Sequence, residues 1–113
     1  MPDQEFRLTH WKQSVPIATW LFALGAARFA VDYYGEFDNK SLQTWVYVQD
    51  REKGFYDFAV PTKQAMQFFS DTIGPYAYEK LANVQSNSVG GGMEAATAIF
   101  YGDDSVTGER TVR

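Results

Sequence analysis

The pattern of residue types predicts strands at three places along the chain. Residues 44–48 carry these residue types throughout, which is typical of a strand. Residues 81–85 form a second predicted strand, and the apolar run 95–101 forms a third. Residues 17–31 are ambiguous, because a proline before them favours a helix start, while residues 20–24 also fit a buried strand.

Apolar residues recur at three- and four-residue spacing after position 62, which predicts a helix. Thr62 is a suitable N-cap, the apolar positions continue to Ile73, and a Gly-Pro pair then ends the run. The charged segment 49–54 before it is predicted as a turn. Strands, a helix and further strands in this order predict an α+β fold with an antiparallel tendency, and a domain junction is predicted near residue 60.

Composition and charge limit the classes of protein to which the chain can belong. Of 113 residues, 45% are hydrophobic and 17% aromatic, so the chain can bury a core and is one domain at most, or part of a larger protein. The net charge of −4 argues against nucleic-acid and anionic-membrane partners. Zero cysteines exclude disulfides and thiolate metal ligands. The apolar stretch 16–31 is too short to span a bilayer, and residues 1–5 do not resemble a signal peptide.

The residue inventory offers little catalytic chemistry. A catalytic zinc site takes three protein ligands, but the sequence has one histidine, His10, and no His-Glu-x-x-His pair. We interpret His10 as an ordinary surface histidine rather than part of a Ser-His-Asp arrangement. The adjacent acids Asp103 and Asp104 are interpreted as a solvated turn rather than a magnesium or calcium site. We therefore predict no catalytic residue and no metal ligand in this chain.

A glycine run followed by a carboxylate is the most informative feature of the sequence. Residues 90–92 are all glycine, and Glu94 then stands just before the apolar run 95–101. Glycine lets another backbone approach closely, so this pattern suits an edge strand that pairs with a peptide while Glu94 binds a positive group. The alternative is a glycine bend leading into a buried strand, with Glu94 turned to solvent.

Four segments in order carry a family resemblance. Gly91, Gly92, Met93 and Glu94 resemble the exopeptidase motif Gly-x-Met-Glu-Asn of the gluzincin zinc aminopeptidases, the family of aminopeptidase N and leukotriene hydrolase. Residues 10–19, 49–55 and 68–81 are similar to other passages of that family in the same order. The resemblance covers about residues 9 to 101, and the ordered set is more specific than the motif alone.

The resemblance implies a particular domain arrangement. Residues 1–59 would be the last strands of an N-terminal β-sheet saddle domain, and residues 60–113 the opening helix and first strands of a thermolysin-like catalytic domain. Residues 20–24 would then be a strand. The family's zinc-ligand helix would begin only a few residues after Arg113, so this chain would be incomplete on its own.

The implied activity is removal of N-terminal residues from peptides by a zinc metallo-aminopeptidase. Glu94 would bind the α-amino group of the substrate, and Gly91, Gly92 and Met93 would pair with its backbone. Ala95 stands where many members have asparagine. Zinc is the implied cofactor of the complete enzyme, with no ligand in this chain, so the chain alone is predicted to be inactive.

Three further expectations accompany the leading one. The alternative function is a non-catalytic module that binds peptide N-termini or has a structural role. The implied partners are peptide N-termini and the remainder of the catalytic domain, with no nucleic acid and no membrane. Strands separated from their sheet leave unpaired edges and apolar faces, so the isolated chain is also expected to self-associate.

Overall fold

Five segments form a sheet, of which β-branched and aromatic residues are frequent in the first two, and the long segment between the second and third strands forms a helix. The computed structural model describes residues 4–110; residues 1–3 and 111–113, at the outer ends of the two predicted domain segments, lie outside the described residues. The strands are β1 (Phe29–Phe37), β2 (Lys40–Tyr47), β3 (Lys80–Ser86), β4 (Gly92–Ala95) and β5 (Ala98–Gly102), and the helix is α1 (Arg51–Thr72). The fold is α+β, as the sequence predicts.

The sheet is mixed, with the spatial order β1-β2-β3-β5-β4. β3 runs parallel to both of its neighbours, while β1 pairs antiparallel with β2 and β4 antiparallel with β5. The predicted antiparallel tendency is therefore wrong for the centre of the sheet. Parallel neighbours need crossover connections. Helix α1 supplies the one between β2 and β3, and β4 lies within the connection from β3 to β5.

Successive side chains of β3 alternate between two apolar layers. On the face covered by α1, Leu42, Met66 and Leu81 form a buried cluster. On the opposite face a second cluster contains Ala82, Val84 and Phe100. The N-terminal segment lies against this second face, where the α-carbon of Gly25 is close enough that an added Cβ would be 3.0 Å from the Phe100 ring. The central strand is thus buried from both sides.

Helix α1 includes the predicted helix but begins at Arg51, eleven residues before the predicted cap at Thr62. The segment predicted as a charged turn forms a 3-10 turn (Val48–Asp50) and the first turn of α1. Thr62 is buried and accepts a hydrogen bond at its Oγ1 from the Asn83 side chain, so it faces the sheet instead of capping. Four positions of the helix are buried at roughly helical spacing, and only the last of them is hydrophobic: Gly54, Asp57, Thr62 and Met66. Because these buried residues are mostly not hydrophobic, the spacing of apolar residues does not predict the first half of the helix.

Pro61 lies inside α1, with helix on both sides. Proline has no amide hydrogen for the carbonyl four residues earlier, which is that of Asp57. The predicted boundary between residues 59 and 60 falls within this helix, and strands from the two predicted segments, β2 and β3, pair in one sheet.

Among residues 4–110, no helix has both the length and the apolar character needed to cross a bilayer.

The strand predicted at residues 20–24 is not formed. A 3-10 turn (Thr19–Leu21) begins there, and residues 22–24 have no regular structure. One main-chain hydrogen bond, from the Ala96 amide to the Leu21 carbonyl at 3.1 Å, ties the segment to the sheet. A strand needs a continuous row of main-chain hydrogen bonds to a neighbouring strand. Within the described part of the chain, residues 20–24 form no such row. Its largest side chains are mostly exposed: Trp20, Phe22 and Leu24.

The apolar run 95–101 is divided by a tight turn and is not the single strand that was predicted. Ala95 ends β4 and Ala98 begins β5, so the turn between them is only two residues long. Thr97 has a φ of +66°. This left-handed conformation is uncommon for a β-branched residue, and no glycine or proline marks the turn in the sequence. The run therefore contains a hairpin that residue types do not reveal.

Asp57 attaches the last described residues to α1. Its Oδ2 accepts the amides of Thr107 and Gly108, both at 2.8 Å, and its Oδ1 accepts the amide of Arg110 at 2.9 Å. The Arg110 guanidinium also lies over the Tyr56 ring, 4.0 Å from its centroid. A buried carboxylate needs such partners, because water is excluded from it. Residues 107–110 are thereby held along the N-terminal half of the helix.

We expect Gly54→Ala to lower the free energy of unfolding by about 1–3 kcal/mol, the usual cost of overpacking. A Cβ at position 54 would lie 2.5 Å from Cγ1 of Val46, a fully buried side chain. In an exposed helix the same substitution stabilises by about 0.5–1 kcal/mol, so the sign is diagnostic. Denaturant unfolding followed by circular dichroism measures the change.

Two controls accompany this variant. Gln64→Ala, at an exposed position of α1, should change stability by less than about 0.5 kcal/mol. The double variant Gly54→Ala/Val46→Ala removes the colliding methyl groups and should recover part of the loss relative to Val46→Ala alone. Equal or greater stability of Gly54→Ala would contradict the close approach of α1 and β2.

Candidate functional site

The predicted site residues lie on an edge of the sheet. Glycine at positions 90 to 92 carries the chain out of the turn after β3, and β4 then begins at Gly92. β4 has one neighbour, β5, and no described strand lies on its other side. Gly92, Met93 and Glu94 are all exposed. The structure therefore brings three of the four predicted residues together on an open edge strand, with Gly91 immediately before it.

The hydrogen-bond register shows which main-chain groups face the open edge. The Gly102 amide donates to the Gly91 carbonyl at 2.9 Å, which makes these two residues a bonded pair. Antiparallel partners alternate between bonded and non-bonded pairs. Continuing along the ladder makes Met93 and Phe100 the next bonded pair. The amides and carbonyls of Gly92 and Glu94 are therefore directed away from β5, toward the open side.

The open stretch of this edge is short. One residue beyond β4, the Ala96 amide points to the same side and is already bonded to the carbonyl of Leu21. The N-terminal segment therefore occupies the position where a strand added to β4 would continue past Glu94. An added strand has room beside Gly92 and Glu94 but meets Leu21 at the far end.

The Glu94 side chain is exposed and close to the main chain of the same strand. Its Oε1 is 3.5 Å from the point where a Cβ on Gly92 would stand. No cation within residues 4–110 forms an ion pair with it. Glu94 is opposite Ile99, so its side chain lies on the face of the sheet that α1 covers. The carboxylate is thus available to a ligand at the edge.

Tyr101 is a neighbour of Glu94 that the sequence pattern did not single out. It is opposite Gly92 on β5, and its ring packs against Phe58 of α1 with centroids 5.0 Å apart. Burial raises the pKa of Tyr101 above its usual value, and the charges of Glu94 and Tyr34 add to the increase. The sequence carries no local signal for this neighbour, because the pairing of Gly92 with Tyr101 follows from the register of β4 and β5.

Glycine is required at two positions around the turn. Gly91 has a φ of +75°, which favours glycine. A Cβ on Gly102 would be 2.9 Å from the Val89 carbonyl oxygen, so the absence of a side chain there lets the turn approach β5.

Met93 is on the other face from Glu94, opposite Phe100, and is 42% exposed. Ala95, where the resembled motif has asparagine, pairs with Ala98 at the hairpin end.

The other candidate residues are not part of this site. His10 is an exposed residue of the N-terminal segment, and Asp103 and Asp104 are exposed in a 3-10 turn after β5. Within the described ranges, no three side chains among histidine, cysteine, aspartate and glutamate are grouped so that they could hold a metal ion. The arrangement at β4 can donate and accept main-chain hydrogen bonds and attract a cation, which is the chemistry of binding.

Comparison of the sequence with protein-family models and with curated proteins gives no match.

Amide hydrogen exchange should show an alternating pattern along β4. The Met93 amide should be protected by its bond to β5, whereas the amides of Gly92 and Glu94 should exchange at nearly the rate of an unfolded peptide, because they face the open edge. Ala96 should be protected through Leu21. Residue-resolved exchange by NMR measures this pattern, and uniform protection across residues 92–94 would contradict an open edge.

Proposed function

We propose that this chain is the part of a zinc-dependent metallo-aminopeptidase, resembling the gluzincin family, that binds the N-terminus of a peptide substrate. The observation that carries the proposal is an open edge strand whose carboxylate, Glu94, has no cation partner among the described residues. The complete enzyme would be a hydrolase that removes N-terminal residues. The chain alone would bind but not cleave.

The direction of the edge supports recognition of an N-terminus. A peptide that pairs antiparallel with β4 begins near Glu94 and runs back past Gly92. Its α-ammonium then lies beside the Glu94 carboxylate, a charge-assisted pairing. Leu21, bonded to Ala96, occupies the space beyond. A peptide extended at its N-terminus would therefore collide with the Thr19–Leu21 segment, so the edge favours chain ends over internal sequences.

The described residues do not fit a zinc ion. A zinc site needs three or four nitrogen, sulfur or carboxylate ligands converging on one point, and residues 4–110 contain no such group. In the proposed enzyme the zinc ligands and the general base belong to polypeptide outside these residues, and the role of Glu94 is to set the distance between the substrate amine and the bond to be cut.

Exposed apolar side chains are consistent with a further part of the catalytic domain packing on this chain. At the C-terminal end of α1, Phe68, Phe69 and Ile73 are 61%, 54% and 79% exposed. Contiguous apolar surface of this kind commonly marks an interface. We propose that the remainder of a thermolysin-like domain covers it. In this proposal, residues 60–113 begin that domain and residues 1–59 are the end of a saddle domain.

A non-catalytic module that holds peptide N-termini is the second candidate function. It is favoured by the observation that this one chain contains the open edge of β4, the Glu94 carboxylate and Leu21, which would block a peptide extended at its N-terminus. Supplying a polypeptide that carries the zinc-ligand helix separates the two candidates. Appearance of chelator-sensitive hydrolysis of aminoacyl anilides favours the enzyme, and binding without hydrolysis favours the module.

Short peptides with a free N-terminus should shift the NMR signals of the Gly92 and Glu94 amides, and N-acetylated versions should bind more weakly by up to about fivefold. The reason is loss of an exposed ion pair, worth about 0.2–1 kcal/mol. Glu94→Gln should remove the preference for the free amine while leaving main-chain pairing possible. The titration follows amide chemical shifts at increasing peptide concentration.

The matched control is Glu36→Gln, an exposed glutamate on β1 at the opposite edge of the sheet. It makes the same change in net charge and should keep the preference for the free amine. Equal binding of free and acetylated peptides by the unaltered chain would refute amine recognition. Zinc-stimulated hydrolysis by the chain alone would refute its proposed inactivity.

The isolated chain should self-associate as its concentration rises, because the open β4 edge and the α1 apolar surface are both unpaired. Sedimentation velocity measures the association. Phe68→Ser/Ile73→Ser should reduce it, whereas Gln64→Ser, also exposed on α1, should not. A single monomeric species at all concentrations would contradict this expectation.

A further inference from the structure

A cleft separates the N-terminal segment from the sheet face opposite α1. Its volume is about 550 Å³, within the range of roughly 300–1,000 Å³ typical of small-molecule sites. The sheet supplies the floor and residues 11–25 supply the roof. The cleft is separate from the Glu94 carboxylate, which lies on the other face of the sheet.

Small side chains at the centre of the sheet create the space. Ala82 on β3 is in register with Ala98 on β5, so two alanines are adjacent in the floor. Their larger neighbours, Val84 and Phe100, are the next pair of the same two strands on this face of the sheet. The roof does not fill the depression, because Trp20, at the turn of the N-terminal segment, is 82% exposed. The space is therefore a consequence of residue size and register.

Aromatic rings form one wall of the cleft. Trp11 and Trp45 have ring centroids 5.7 Å apart, and Phe29 meets Trp45 edge to face at 5.8 Å. These three side chains come from the N-terminal segment, β2 and β1, and all of them line the cleft. Such a wall offers a large apolar contact area with few rotatable bonds, which favours the flat or extended hydrocarbon part of a ligand.

A lysine stands where the aromatic wall meets the floor. Lys80 begins β3 on the same face as Ala82, and its Nζ is 4.7 Å from the centroid of the Trp11 ring. It is half-buried and forms no ion pair with any residue of the described part of the chain. Burial lowers the pKa of Lys80, because the ammonium is separated from water without an anion in compensation. A ligand anion would supply that compensation.

We propose that this cleft binds a small apolar molecule carrying one carboxylate, with its hydrocarbon part against the aromatic wall and its carboxylate at Lys80. The other charged groups at the cleft are Lys12 and Glu79, both exposed, so the least exposed charge at the cleft is the positive one of Lys80. Charge complementarity thus selects an acid over an amine of the same shape. This site does not depend on Glu94 or on any peptidase activity.

Octanoate, octanol and octylammonium test the proposal, because they share a hydrocarbon chain and differ in head group. Titration at neutral pH, followed by tryptophan fluorescence, reports binding through Trp11 and Trp45. Octanoate should bind roughly tenfold more tightly than octylammonium, with octanol between them. Lys80→Met keeps the length of the side chain and should reduce the affinity for octanoate to that for octanol.

Lys63→Met is the matched control, since Lys63 lies on α1 over the Tyr34 ring, away from the cleft. It should leave all three affinities unchanged. Ala98→Leu, which fills the floor, should abolish binding of all three ligands, while Ala77→Leu in an exposed loop should not. Circular dichroism verifies that each variant is folded.

Three results would overturn the proposal. The first is equal affinity for the three head groups, and the second is an unchanged preference in Lys80→Met. The third is a fluorescence change that depends on protein concentration rather than on ligand, which would make a second copy of the chain the occupant. Sedimentation of the same samples identifies that case.

Discussion

The position of Glu94 at an open edge depends on the parallel pairing of β3 with β5. Two parallel strands that follow each other in sequence cannot be joined by a tight turn, so the chain must travel back along the sheet before β5 begins. That return is β4, and since β3 already occupies one side of β5, β4 can pair only on the outside. The carboxylate lies at the edge because the topology leaves no inner position for its strand.

The central strand β3 also contributes buried polar side chains to the interior. Asn83 and Gln85 of β3 point toward α1, where an apolar layer would be expected, and their amides are paired. The Asn83 Nδ2 donates to Thr62 at 2.7 Å, while Gln85 bonds to Asp50 and to the Tyr47 amide at 2.9 and 2.8 Å. Buried amides without partners are costly, so these bonds fix the register of α1 against the sheet. Hydrophobic burial alone would allow the helix to slide.

The sequence predicts those elements whose signal is local. The types of residues in β2 and β3 and the Gly-Pro end of α1 all act within a few positions, and the structure confirms them. The start of α1 is not predicted, because Gly54 is buried against Val46 of β2 and Asp57 is buried by its hydrogen bonds to residues 107–110, which lie far along the chain. The hairpin at Thr97 and the irregular path of residues 20–24 likewise depend on which backbone groups find a partner. The candidate residues on β4 are predicted from a glycine pattern, whereas the neighbouring positions of Tyr101 and Leu21 follow only from the topology.

An exposed carboxylate by itself binds an ammonium weakly, at about 0.2–1 kcal/mol for surface ion pairs. A few main-chain hydrogen bonds at about 0.5–1.5 kcal/mol each add to this, yet association costs at least about 4 kcal/mol. The open edge of β4 therefore reaches useful affinity only if water is excluded from Glu94, since removing solvent strengthens the charge interaction. Among residues 4–110 no residue covers Glu94, and Phe68 and Ile73, at the C-terminal end of α1, are also exposed to solvent. Under the proposed function, a polypeptide that covered Glu94 would exclude this water and so strengthen the interaction between its carboxylate and a substrate ammonium.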